Sequence, residues 1–293
     1  MPADTIPAHY TTEFSTNWIQ RVQQTKGRLD EFVVDEDFEG ERKRYDRISA
    51  QESRQRAERK APTPISNPDM DSRWAFSRSY DLGNMLDADD ARNLGKLVLP
   101  TSDYVMSHAA AYHRNADDVA WMAALDDAII GELGTTTAPL PATQKIAHGG
   151  TGLTIAKLRV ANYILEDADL EDDQPRVLCV TAQQLYNLLT TTEVTSADFN
   201  TVKALVDGQI DTFMGFKFKK IRRLRKPFPS TTRSCVAWVK GAIRRLKGPK
   251  MTNISVRTDL SYATQIYSQW HLGAVRVYDE GVVQIDCTET TLN

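Results

Sequence analysis

A chain of 293 residues with 41% hydrophobic and 26% charged residues has the composition of an ordinary folded protein, long enough for two modest domains or one elaborated one. Its formal net charge of −3 excludes a protein that coats nucleic acid with its whole surface, so any electrostatic partner must be met by a local patch. The cysteines Cys179, Cys235 and Cys287 lie far apart in apolar runs without a CxxC pair, which points to buried, reduced thiols and away from a disulfide framework.

The opening stretch MPADTIPAHYTTEF has no basic start followed by an apolar run, and no apolar stretch approaches the ~20 residues that cross a bilayer. Synthesis in a cytoplasm, without a membrane partner, is therefore expected. Phe14, Trp18 and Val22 recur at helical spacing and predict a short amphipathic helix that must lie on something else. From Arg28 to about Leu99 charge is dense, and large aliphatics are missing between Ile48 and Ile65. Trp74, Phe76 and Tyr80 alternate as in a strand, and Pro62, Pro64 and Pro68 mark a turn region. The pattern predicts a long, charged, two-stranded projection without a core of its own.

The strongest helical signal runs from Asp103 to Leu133. Ala109, Tyr112, Ala116, Val119 and Ala123 share one face, and Met122, Leu125, Ile129 and Leu133 extend an apolar stripe. A second helix is expected from Leu153 to about Asp167, with Ile155, Leu158, Ala161 and Leu165 inward. Arg176 to Val180 reads as a buried strand, and Thr181 with Gln184 as a capping box for the helix carrying Leu185, Leu188 and Leu189. DTFMGFKFKKI has a strand pattern, SCVAWVKGAIRRL reads as a strand or helix, and AVRVYDEGVVQIDC reads as a hairpin around Asp279, Glu280 and Gly281. Irregular alternation of helices and strands makes the fold class α+β.

Few residues suggest chemistry. In AHGGTGLT, Gly149, Gly150 and Gly152 precede a helix and could cradle a phosphate or an oxyanion. However, there is no Walker A loop, no strand before it and no GxSxG nucleophile elbow, so a loop leading into a helix is the favoured reading. The histidines His9, His108, His113, His148 and His271 lack HExxH spacing, which argues against a metal. The carboxylates Asp126 and Asp127, those from Leu165 to Asp173, and Asp87, Asp89 and Asp90 read as solvated faces or salt-bridge partners between subunits. Between Lys217 and Lys226 seven of ten residues are Lys or Arg, with Arg244, Arg245, Lys247 and Lys250 further on. Such a run could neutralise phosphates, which keeps a nucleic-acid-binding protein as the alternative function. Phe216, Phe218 and Ile221 interleave with the charges, which favours a strand with one buried and one charged face that meets another subunit.

With no catalytic set present, the order of elements carries a resemblance. The chain resembles the major capsid protein of tailed bacteriophages, the Hong Kong 97-like fold shared with encapsulin shells and the floor of herpesvirus capsids. NWIQRVQQTKGRLDEFV resembles the N-terminal arm, and GERKRYDRISAQESRQRAERK through RWAFSRSYDL the extended loop. ADDVAWMAALDDAIIGEL looks like the spine helix. PRVLCVTAQQLYNLL and LVDGQIDTFMGFKFKKI are similar to the axial domain, and SVRTDLSYATQIYSQWHLGAVRVYDEGVVQIDC to the closing strands of the peripheral domain. The resemblance implies an arm over 1–35, an extended loop over 36–100, a peripheral domain with spine helix over 101–173, an axial domain over 174–250 and a return to the peripheral domain over 251–293. It also implies a non-enzymatic shell protein of the virion, without cofactors. Its partners would be further copies in pentamers and hexamers, a portal, a separate scaffolding protein, a decoration protein and packaged DNA met non-specifically. The residues expected at subunit contacts are Phe14 and Trp18 in the arm, Arg54, Arg56, Trp74 and Phe76 in the loop, and Lys219, Arg222 and Arg223 in the basic strand.

Overall fold

A computed structural model describes residues 24–49, 51–56, 58–59, 65, 67–86, 103–168, 170, 174–190, 204, 211–227 and 230–289. The helix expected around Phe14, Trp18 and Val22 lies outside these residues, as do Asp87, Asp89 and Asp90. In chain order come β1 (Val34–Asp37), β2 (Arg42–Ile48), β3 (Met70–Phe76), β4 (Arg78–Leu86), α1 (Asp103–Leu125), β5 (Ala128–Ile130), β6 (Thr136–Ala138) and β7 (Lys145–Ile146). There follow α2 (Ile155–Asp167), β8 (Arg176–Val180), α3 (Ala182–Thr190), β9 (Thr212–Phe213), β10 (Phe216–Lys220), β11 (Thr232–Val239), β12 (Ile243–Arg257), β13 (Ala263–Arg276) and β14 (Val282–Thr288). The strands form three sheets, ordered β1-β12-β13-β4, β7-β14-β11-β8-β10-β9 and β2-β3-β5-β6.

The chain divides into two compact units. The larger comprises 27–79, 115–249 and 271–293. Its core is the mixed six-stranded sheet, in which β11 pairs antiparallel with both β14 and β8, and β8 pairs parallel with β10. Ser234 to Val239 is an unbroken buried run because both faces of this central strand are covered. Trp238 is fully buried, and its indole N–H donates to the Phe32 carbonyl at 2.9 Å, so the segment before β1 is fastened to the sheet. Leu158, Ala161 and Leu165 of α2 are buried, as the sequence predicts, and so is Lys157, which periodicity alone does not flag.

Three expectations are corrected. Helix α1 stops at Leu125, short of Leu133, and Ile129 and Ile130 form β5 against Trp74 and Arg73 of β3. Two aspartates followed by β-branched residues are poor helix formers, and Leu133 is 73% exposed. Within the larger unit the buried stripe of α1 is Ala116, Ala120, Trp121, Ala124 and Leu125, while Met122 is exposed. An alanine-rich helix has two nearly equivalent apolar phases, and the one containing the tryptophan is the one that packs. The expected hairpin around Asp279 to Gly281 is a turn between different sheets: β13 belongs with β12 and β4, β14 with β11 and β7. The N–H groups of Val277 and Tyr278 both point to the Ala242 carbonyl, which takes the chain out of one sheet before β14 joins the other.

The smaller unit comprises 1–26, 80–114 and 250–270. Among its described residues the buried apolar side chains are Ala110, Ala263, Ile266 and Trp270, while Met85, Met106, Met251, Val256, Leu260 and Tyr262 are exposed. Among these described residues more large apolar groups face outward than inward.

Candidate functional site

The glycine loop does not form an anion cradle. The ammonium of Lys157 donates to the carbonyls of His148 at 2.8 Å and of Thr151, Gly152 and Asp286 at 3.0 Å. The loop therefore turns its carbonyls inward onto a buried cation, where a phosphate site needs N–H groups turned outward. At the start of α2 the Thr154 hydroxyl accepts from the Lys157 N–H, so the helix terminus is capped by its own side chain. His148 Nδ1 accepts from the Gly150 N–H at 3.0 Å. Burial pushes the Lys157 pKa down, against the opposing influence of Cys287, Cys235 and Asp286. Gln184 completes only half of the expected capping box: its N–H reaches Thr181, but its side-chain oxygen accepts from the Leu153 N–H at 2.9 Å.

All three cysteines are free and buried, and burial pushes the Cys179 thiol up, so it is protonated and inert. No group of three or more His, Cys, Asp or Glu among the described residues is arranged to hold a metal. Within those residues no helix is long and apolar enough to cross a membrane.

Four of the seven cations of the basic run are paired within their own chain. Lys217 pairs with Glu31 at 2.7 Å, Arg223 with Asp118 at 3.0 Å, Lys226 with Glu289 at 3.0 Å, and Arg225 with Asp126. Lys219 lies 5.5 Å from the centroid of the Phe32 ring. Arg222 is exposed and has no polar partner among the described residues. Strand β10 carries only the first part of this run and ends at Lys220. Before it, Met214 and Gly215 both have positive φ, 51° and 79°, the geometry of a tight turn joining β9 to β10.

The expected two-stranded projection is instead part of the four-stranded sheet β2-β3-β5-β6, and Tyr80 lies on β4 in a different sheet from Trp74 and Phe76. Strands β2 and β3 pair antiparallel from Arg42 opposite Phe76 to Ile48 opposite Met70. Trp74 is committed inside the larger unit: its indole N–H donates to the Gly131 carbonyl at 2.6 Å, its ring lies against Gly134, and the Arg42 guanidinium lies 5.2 Å over it. The Phe76 carbonyl backs directly onto Gly273, where any side chain would collide with it. Arg56 donates to the Glu58 carbonyl at 2.9 Å, and Arg54 is exposed without a polar partner among the described residues. At the end leading into 49–69, Ile48 and Met70 are 64% and 75% exposed, and Ile65 is 90% exposed. Phe14 and Trp18 fall outside the described residues.

Sequence reading missed the buried arginines that fasten these elements. Arg245 donates to Asp35 at 2.7 and 2.9 Å, to Asp30 at 2.6 Å and to the Ala116 carbonyl at 3.2 Å. Burial opposes its charge, but the two aspartates outweigh burial and push its pKa up. Arg276 donates to Asp279, to the Ala124 and Asp126 carbonyls at the end of α1, and to the Ala138 carbonyl. Asp279 also receives Arg73 at 2.6 Å. The only available signal was an arginine within an otherwise apolar strand run, as in AVRVYD.

Geometry therefore offers anchored extensions and exposed apolar ends, with no assembled catalytic group among the described residues. Comparison with solved structures gives the class. The chain is similar to the capsid of Ralstonia phage GP4 (11% identity, all of this chain and 99% of the other, TM-score 0.69). It is similar to the capsid asymmetric unit of cyanophage Pam1 (11% identity, 98% and 99%, TM-score 0.68) and to a chain of Mycobacterium phage Che8 (16% identity, 97% of each, TM-score 0.63). These likenesses define an α+β phage capsid fold. Curated proteins yield no match. The family model described as phage capsid protein matches residues 6–289, and the chain belongs to that family. It is a major capsid protein, a structural and non-enzymatic component of the phage head.

Proposed function

We propose that copies of this chain associate into pentamers and hexamers through residues 174–250, and that the arm (1–35) and the extended loop (36–100) clasp neighbouring subunits in an icosahedral shell. Residues 101–173 and 251–293 would form the peripheral domain between them. A portal and a separate scaffolding protein are the further partners in this reading, with a decoration protein as an outer addition. Packaged DNA is met non-specifically. Likeness to phage capsids and capsid asymmetric units supports self-association.

The observation that carries the reading is where the exposed apolar side chains fall. Two groups of them lie at the ends of extended elements: Ile48 and Met70 as the last pair of β2–β3 with Ile65 in the segment that follows, and Val256, Leu260 and Tyr262 where β12 turns into β13. Apolar groups concentrated on projections need a covering surface, and a second copy supplies it at every repeat. Electron microscopy of the purified protein, with and without a co-expressed scaffold, is expected to show closed particles, sheets or capsomers. Ile48→Asp combined with Met70→Asp is expected to leave the subunit's circular dichroism unchanged and to abolish large assemblies. A wild-type protein that stays monomeric throughout would overturn the reading.

A further inference from the structure

The smaller unit contains a cavity of about 340 Å³ lined by the first half of α1 and by β12 and β13, with Val105, His108, Tyr112, Lys250, Ser268 and Trp270 among its walls. Two polar atoms in these walls are buried and have no hydrogen-bond partner among the described residues, His108 Nε2 and Trp270 Nε1. Their side chains belong to residues only 3% and 6% exposed. Buried polar groups in folded proteins are nearly always paired, so two orphans in one cavity indicate a missing acceptor.

The chemistry of that acceptor follows from the walls. An indole N–H can only donate, and so can the ammonium of the exposed Lys250, which lies 5.5 Å from the centroid of the Tyr112 ring. Thr252 and Ser268 are joined at 3.0 Å, and the Ser268 hydroxyl lies 2.8 Å from His108 Nδ1. Burial keeps the His108 imidazole neutral. When the Ser268 hydroxyl donates to Nδ1, the imidazole proton sits on Nε2 and becomes a third donor. The Tyr112 ring meets Trp270 edge-on at 5.9 Å between centroids and holds the indole in place.

We propose that this cavity is a socket for a carboxylate side chain from a second copy of the chain. The donors require an oxygen acceptor, and the lysine selects a charged one over a neutral carbonyl. The occupant is a protein segment, because Met251, which also lines the cavity, is 54% exposed and a small anion would leave it wet. This proposal rests on the shell reading above, and its failure can be told apart from failure of that reading.

The test combines a cryo-electron microscopy map of the assembled shell with two variants, Trp270→Phe and Lys250→Met. The map is expected to place a neighbour's Asp or Glu oxygen within hydrogen-bond distance of Trp270 Nε1 and His108 Nε2. Trp270→Phe keeps the ring packing and removes the N–H. Since that N–H has no partner within the described chain, the unassembled subunit is expected to unfold at the same urea concentration as wild type. Shells of either variant are expected to lose subunits about tenfold faster. A map with water or a small anion in the socket overturns the proposal while leaving the shell reading intact, as do variant shells that dissociate at the wild-type rate. Absence of any wild-type shell removes both.

Discussion

Arg276 donates from all three of its nitrogens, to one carboxylate and three backbone carbonyls, and two of those carbonyls are the ones left open as α1 ends. Replacing it with Met would leave these acceptors buried and Asp279 with Arg73 as its remaining ion-pair partner. Loss of one member of a buried ion pair costs about 3–5 kcal/mol, so Arg276→Met is expected to lower the urea midpoint of the soluble subunit by a corresponding amount. Arg276→Lys retains the charge without the planar fork and should fall between the two. An Arg276→Met subunit as stable as wild type would show that the arginine is replaceable by packing. Apart from the apolar setting of Arg276 in AVRVYD, nothing in the sequence separates Arg276 and Arg245 from the other basic residues of the chain. Asp279 is three residues from Arg276, but the other partners lie far away in sequence, 215 residues for Asp30 and Arg245 and 152 for the Ala124 carbonyl and Arg276, and pattern reading works over much shorter windows.

Strands and helices were more legible, because each rests on a local pattern. The run RVLCV is a strand at the expected residues, and the β2–β3 pair appears where charge and aromatic alternation place it. Which strand pairs with which is a different matter, since period-two alternation tells a strand which face to bury and not which neighbour to choose. That is why β13 and β14, adjacent in sequence, end in different sheets. Side chains between elements supply part of the missing specification. Glu36 on β1 accepts from Tyr45 of β2 at 2.9 Å and also receives Lys43 of β2 and Arg244 of β12. Burial raises its pKa, yet these three hydrogen bonds outweigh burial and hold the carboxyl at about 2, against an ordinary 4.5. A depressed carboxylate pKa contributes stability that is complete above 4.5 and disappears as pH falls through about 2. The stability difference between wild type and Glu36→Gln, followed by urea unfolding, is therefore expected to be widest near neutral pH and to shrink steadily below pH 4.5. A difference independent of pH would mean that the carboxylate acts through shape alone.

For the whole molecule, the balance of charge decides between a wall and a nucleic-acid grip. Read as sequence, seven cations in ten residues suggest a phosphate-binding stripe. Folded, four of the seven are paired with Glu31, Asp118, Asp126 and Glu289 from their own chain and Lys219 lies over the Phe32 ring, leaving Lys220 and Arg222 exposed without an ion-pair partner among the described residues. Each phosphate neutralised on duplex DNA adds about −0.9 to the slope of log affinity against log salt, so a free subunit that spends four of the seven cations internally should show a slope shallower than about −3. Filter binding of duplex DNA across a salt series measures this slope directly. The informative substitution is Arg222→Glu, since reversing Arg223 or Arg225 would set a carboxylate against Asp118 or Asp126 and disturb the fold itself. Arg222→Glu is expected to change the already weak affinity by less than about twofold. A slope near −6, abolished by Arg222→Glu, would restore the nucleic-acid reading. A shallow slope fits the proposal that packaged DNA is met non-specifically, without a cationic grip on the subunit.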